Sequence, residues 1–139
     1  MSLLRTANAT RARSRRRGAA AIEFAVCLPV IVLLVFGSIE ASSFIFLKQS
    51  LCVAAYEGCR EAIRAESTNA TARSRATTIL NSRGVTGFDI QFPNGAVANA
   101  DRGDEIVVVV TAPTNTNSPL AGDYITNRVL NARVVMVKE

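Results

Sequence analysis

From Phe24 to Ile39 the chain reads FAVCLPVIVLLVFGSI, sixteen residues without a charge. A bilayer helix needs about 20 mostly apolar residues. The run reaches that length by continuing through Glu40 and ASSFIFL to Leu47, with Glu40 as its single acid. As a helix, Phe24 to Leu47 would extend about 36 Å at about 1.5 Å per residue, enough to cross a membrane. Arg5, Arg11, Arg13, Arg15, Arg16 and Arg17 all precede the run, and no acid lies among the first 18 residues. Clustered arginine on one flank sets orientation, with the basic side cytoplasmic and everything past Lys48 on the far side.

Three readings of the run compete: a permanent membrane helix, a removable export signal and a buried helix of a soluble core. The abutting arginines count against the soluble core. A secretory signal shares the basic start and apolar middle, but the best small-residue cleavage site, Ile39-Glu40-Ala41, puts a bulky isoleucine three residues before the cut. Adjacent Arg15 and Arg16 suit twin-arginine export, although any basic cluster contains such pairs.

The remaining composition narrows the function classes. Lys and Arg total 16 against 11 Asp and Glu in 139 residues, yet removing the six leader arginines leaves ten basic residues against 11 acidic. The positive charge belongs to the leader, so nucleic-acid binding by the folded part is not expected. No histidine is present, which excludes a Ser-His-Asp or Cys-His site assembled within this chain. Without histidine or a Cys-x-x-Cys pair no metal site is expected. The acidic string Asp101 to Glu105 lacks EF-hand ligand spacing and reads as a hairpin turn. No cofactor and no enzymatic activity are expected.

Charge changes abruptly where the run begins. Arg17 is followed by Gly18, Ala19, Ala20, Ala21, Ile22 and then Glu23, an acid at the mouth of an apolar helix. A carboxylate well inside a bilayer costs several kcal/mol, about 2.5 to 3.5 on insertion scales for Asp at the centre. Glu23 either sits hydrated at headgroup level, where the first helical turn favours an acid, or meets a positive partner. A new amino terminus created after Gly18 would supply one. Phe24 follows the acid directly, and Pro29 lies inside the run, where its missing N–H frees the Ala25 carbonyl and softens or kinks the helix.

These residues carry a resemblance. Gly18, an acid five positions later at Glu23, the aromatic Phe24 and the basic leader together resemble the cleavage signature of type IV prepilins and pseudopilins. The string RRRGAAAIEFAVCLPVIVLLVFGSIEAS, Arg15 to Ser42, is similar to the amino-terminal region of TadE-like proteins, the pseudopilins of tight-adherence (Tad) pilus systems. The resemblance implies cutting between Gly18 and Ala19 by a prepilin peptidase, and pairing of Glu23 with a neighbouring subunit's amino terminus. It further implies other pilin or pseudopilin subunits and an inner-membrane assembly platform as partners, a minor rather than major subunit, and a role in adherence. The cut leaves a single-pass inner-membrane protein with a cytoplasmic amino terminus, carried into a surface pilus on assembly. Two alternatives stand beside it: a single-pass anchored extracytoplasmic binding domain that does not polymerise, and an exported protein cut near Ala41.

Beyond the bilayer, QSLCVAAYEGCREAIRAE continues the helix, with Leu47, Leu51, Ala54, Gly58 and Ala62 recurring at three- and four-residue spacing. Glu57, Arg60, Glu61 and Arg64 mark a solvated face. Ser67 or Thr68 caps a second helix through Arg83, with Gly84 as its left-handed stop and Ala72, Ala76, Ile79 and Leu80 as its apolar stripe. From Gly84 the pattern changes to strands. Phe88–Phe92 alternates, Pro93-Asn94-Gly95 turns, Asp104–Ala112 (DEIVVVVTA) reads as a central strand, and Ala132–Val137 repeats its pattern. An exposed valine run would be an aggregation hazard, so burial or pairing is expected. The class of 124–131 stays open.

The expected fold is α+β and pilin-like: a long first helix whose first half spans the membrane, a shorter second helix and a small antiparallel sheet. Its segments are a leader at 1–18, a transmembrane helix at 19–48, a helical stalk and second helix at 49–83, and a sheet region at 84–139. Cys27 serves as a small hydrophobe. Cys52 and Cys59 lie about 10.5 Å apart along one helix, at about 1.5 Å per residue, too far to bridge each other. In an oxidising compartment they are candidates for an intersubunit disulfide.

Overall fold

The computed structural model describes residues 3–118 and 128–139, with side chains described from Gly18 onward. Its elements run α1 (Leu3–Ala62), α2 (Asn69–Ser82), β1 (Asp89–Gln91), a short 3-10 turn at Val97–Asn99, β2 (Glu105–Pro113) and β3 (Val129–Val137). The layout is α+β, with a long apolar first helix, a shorter second helix and a three-stranded antiparallel sheet. The chain divides into two compact units, 1–39 and 40–139.

Among the described residues the first unit is helix alone. It holds an uncharged apolar run continued through Pro29 without interruption, and the Ser38 hydroxyl donates back to the Leu34 carbonyl at 2.7 Å, a bond that hides a polar group inside its own helix. Every residue from Gly18 to Ile39 is exposed.

The second unit begins with Glu40 and carries the core. Leu47, Leu51, Ala54, Gly58 and Ala62, the stripe that recurs along α1, are all buried. Against them lie Ala72, Ala76 and Leu80 of α2 and, from the sheet, Ile106, Val108 and Val110. Small residues let the two helix backbones approach closely. A methyl placed on Gly58 would lie 3.2 Å from Ala76 Cβ and 3.4 Å from the Ala72 carbonyl oxygen.

Thr68 starts α2. Its hydroxyl accepts from the Thr71 N–H at 3.3 Å, and the Thr71 hydroxyl accepts from the Thr68 N–H at 3.0 Å, a reciprocal box that satisfies two donors the helix cannot. Gly84, at φ +68°, takes the chain out of the helix in a conformation open to glycine. Asn69, one residue past the cap, ties α2 to the loop after β1: its amide oxygen accepts from the Val97 N–H at 2.6 Å.

The sheet order is β1-β2-β3. The valine-rich β2 is therefore the central strand, paired with β1 from Asp89 opposite Thr111 to Gln91 opposite Val109, and with β3 along all nine residues. β1 is shorter than the alternating Phe88–Phe92 pattern. Gly87 at φ +66° ends it on one side and the turn at Pro93-Asn94 on the other, although Phe88 and Phe92 still pack on the core. β3 in turn starts three residues before the Ala132–Val137 pattern, at Val129. Asp101–Asp104 forms a tight turn, closed by the Asp104 N–H on the Asp101 carbonyl at 3.1 Å. It leads into β2 and abuts the end of β3 rather than joining two consecutive strands as a hairpin. Of the segment 124–131, residues 124–127 lie outside the described residues, and β3 takes up the rest from Val129.

Candidate assembly site on the amino-terminal helix

The residues singled out around Gly18 fall on one uninterrupted stretch of α1. Gly18 is exposed, and a methyl placed there would meet nothing within 4 Å. Ala19 and Glu23 are four residues apart, hence one turn apart on the same side of the helix, about 6 Å along the axis. Glu23 is exposed, and Phe24 beside it is 60% exposed. A free amine at Ala19 and the Glu23 carboxylate would occupy adjacent turns at the end of an apolar surface.

That surface is continuous. An 18-residue window within Gly18–Ala62 reaches a mean hydropathy of 2.6, and none of it is covered by the protein itself. Leu33 is 72% exposed and Leu34 65%. Uncovered leucine, valine, isoleucine and phenylalanine on all sides of a helix favour an apolar surrounding, and the amino-terminal helix has the length and composition of a membrane anchor.

Glu40 behaves differently from Glu23. It is buried, its Oε1 accepts from the Ser118 hydroxyl, and its Oε2 has no partner among the described residues. The sequence showed Glu40 as the acid interrupting the apolar run, but its burial depends on Ser118, distant in the chain.

The cysteines separate. Cys27 and Cys52 are exposed and Cys59 is fully buried, where its thiol lies 3.5 Å from the Ile106 carbonyl. Desolvation pushes the Cys59 thiol above its ordinary range. Cys52 alone of the Cys52 and Cys59 pair offers its sulfur to another chain.

On the solvated side of α1, Glu57 receives Arg75 of α2 at 3.2 Å and Arg60 at 3.7 Å, while Arg64 pairs with Glu61 at 3.0 Å. Arg75 was not legible as a partner, because α2 must first fold back on α1. These exposed pairs are structural and contribute little each. An open cleft of about 600 Å³ beside β2 is lined by Asn94, Asn99, Asp104 and Glu105 among others. Its carboxylates have no nucleophile or base of another kind beside them, and Asp104 already accepts from the Asp101 N–H at 2.8 Å. Among the described residues no cluster of three or more metal-ligating side chains occurs.

No curated protein and no solved structure matches the chain. Residues 18–60, which hold the Gly18-to-Glu23 spacing, the apolar surface and the start of the packed stripe, match the family model described as TadE-like protein. Over that stretch, and not over the rest of the chain, the protein is similar to TadE-like proteins.

Proposed function

We propose that this protein is a minor pilin or pseudopilin of a Tad-type pilus, trimmed between Gly18 and Ala19 by a prepilin peptidase at the cytoplasmic face of the inner membrane. The single observation that carries the reading is an exposed carboxylate, Glu23, five residues past an unobstructed glycine at the head of an uncovered apolar helix. Trimming removes the six leader arginines and leaves an ammonium at Ala19. In a bundle of such helices that ammonium meets the Glu23 of a neighbouring subunit. Neither charge could enter an apolar interior alone, and a pair with one axial offset fixes the stagger of the subunits.

Other pilin-like subunits and the inner-membrane assembly platform are then the partners, and adherence is the output of the assembled fibre. The helix first holds the subunit in the lipid bilayer, amino terminus in the cytoplasm and the second unit outside, and later packs against other helices.

Intact mass of the membrane-extracted protein tests the cut. A product beginning at Ala19, and a full-length product when Gly18 is replaced by Val, are the expected results. A wild-type protein that keeps Met1 overturns the processing. Glu23→Gln tests assembly separately: trimming should persist while recovery in sheared surface fibres falls, and undiminished recovery would favour a plain membrane anchor.

A further inference from the structure

The outer edge of β3 is an unfinished ladder. Each β2–β3 pair keeps one register, from Glu105 opposite Val137 to Pro113 opposite Val129. Just past the two ends, the Lys138 N–H donates to the Asp104 carbonyl and the Thr114 N–H to the Arg128 carbonyl, both at 2.8 Å. Hydrogen-bonded pairs alternate with non-bonded pairs in an antiparallel ladder. Even-numbered residues of β3 therefore bond β2, and Val129, Asn131, Arg133, Val135 and Val137 direct their backbone groups outward. No strand pairs with that edge among the described residues. Among the described residues Lys48 caps it, donating to the Asn131 carbonyl.

α1 leaves an apolar strip beside the same edge. β3 runs alongside α1: Asn131 meets Lys48, Cys59 lies against Ile106, the residue opposite Met136, and the Glu139 N–H donates to the Ile63 carbonyl at 3.3 Å. At about 100° per residue, Ile45, Cys52 and Tyr56 lie about 40 to 80° round the helix from Lys48, on the side away from buried Leu51. All three are exposed, Ile45 at 59% and Tyr56 at 51%. A strand added about 4.8 Å outside β3 would bury its inward side chains on that strip.

Charge selects the occupant. On the outward face of β3, Val129, Arg133, Val135 and Val137 are exposed. Arg133 stands opposite Val109, with Val107 and Thr111 diagonal to it on β2, so no acid in the sheet answers it. A second β3, paired antiparallel about Arg133 or parallel in register, would set guanidinium against guanidinium, which is destabilising.

We propose that the β3 edge receives an extended segment of another protein chain by strand addition, apolar at the positions facing Ile45, Cys52 and Tyr56 and carrying a carboxylate opposite Arg133. The backbone groups supply affinity, and the alternating side chains and the single charge supply selectivity. The proposal is independent of trimming at Gly18.

The test uses the full chain in detergent micelles with Cys27→Ala, so that Cys52 is the accessible thiol. The probe is a synthetic peptide of alternating Thr and Val with a central Glu, and its counterpart has a central Lys. The Glu peptide is expected to slow Cys52 alkylation about tenfold at about ten times its dissociation constant, and to slow exchange of the Arg133, Val135 and Val137 amides. In Arg133→Glu, an exposed substitution, the preference should reverse to the Lys peptide. No protection by either peptide in either background overturns the proposal, as does equal protection by both. Concentration-dependent dimerisation that protects the same amides without peptide would also overturn it, assigning the edge to a second copy.

Discussion

Gly58 shows how much of the packed unit depends on a missing side chain. The spacing of Leu47, Leu51, Ala54, Gly58 and Ala62 marks it as part of a stripe, but the reason for glycine appears only where Ala72 and Ala76 of α2 cross it. Because the space above Gly58 is closed by backbone as well as a methyl group, a β-branched side chain forces the helices apart. Gly58→Val is expected to cost about 2 to 3 kcal/mol, in the range of overpacked cores, read as a lowered thermal midpoint in detergent. Cys59, one position on, gives a pH signature. Burial raises its pKa from the ordinary 9.0, so the folded state favours the neutral thiol. That contribution is complete below the unfolded pKa and is lost as pH rises through the folded value. Thermal midpoints should therefore fall as pH climbs above about 9, and Cys59→Ser should flatten that decline. Identical slopes in both proteins would show that another group is responsible.

At the scale of elements, what could be read in advance was whatever local chemistry decides. Thr68, Gly84 and the stripe Ala72, Ala76 and Leu80 bracket and orient α2 before any tertiary contact is known. The valines of β2 run without polar alternation, which suits a strand paired on both edges, and β2 is the central strand. The limits of β1 and β3 were harder, since they depend on pairing. β3 gains Val129 to Asn131 because β2 continues to Pro113 and offers them partners. The capping box of α2 permits a clean measurement. Thr68→Ala removes the hydroxyl that accepts from Thr71 and should cost about 1 kcal/mol, seen as a lower midpoint with an unchanged unfolding slope. Ser67→Ala disturbs neither bond of the box and should cost less, although its hydroxyl also lies 2.9 Å from that of Thr71.

For the molecule as a whole, the proposed assembly site was legible in the sequence and the proposed docking edge was not, for one physical reason. Gly18, Glu23 and the apolar run lie on contiguous chain, so the proposed site is a matter of their spacing alone. The β3 edge and the strip at Ile45, Cys52 and Tyr56 meet only after two distant segments pack, and no local pattern announces that. The same separation allows orientation to be measured with the native cysteines. In the proposed topology the six leader arginines stay in the cytoplasm, each worth about 1 kcal/mol near an anionic leaflet. That topology would put Cys27 within the bilayer and both Cys52, which is exposed, and Cys59, which is buried, on the outer side. In sealed spheroplasts, a membrane-impermeant maleimide should label Cys52 alone. Cys59 should react on the order of a hundredfold more slowly, as about 2.8 kcal/mol of opening free energy would give, and should reach full labelling in denaturant. Labelling of Cys52 only after the membrane is broken would reverse the topology, and with it the side on which any partner strand could reach β3.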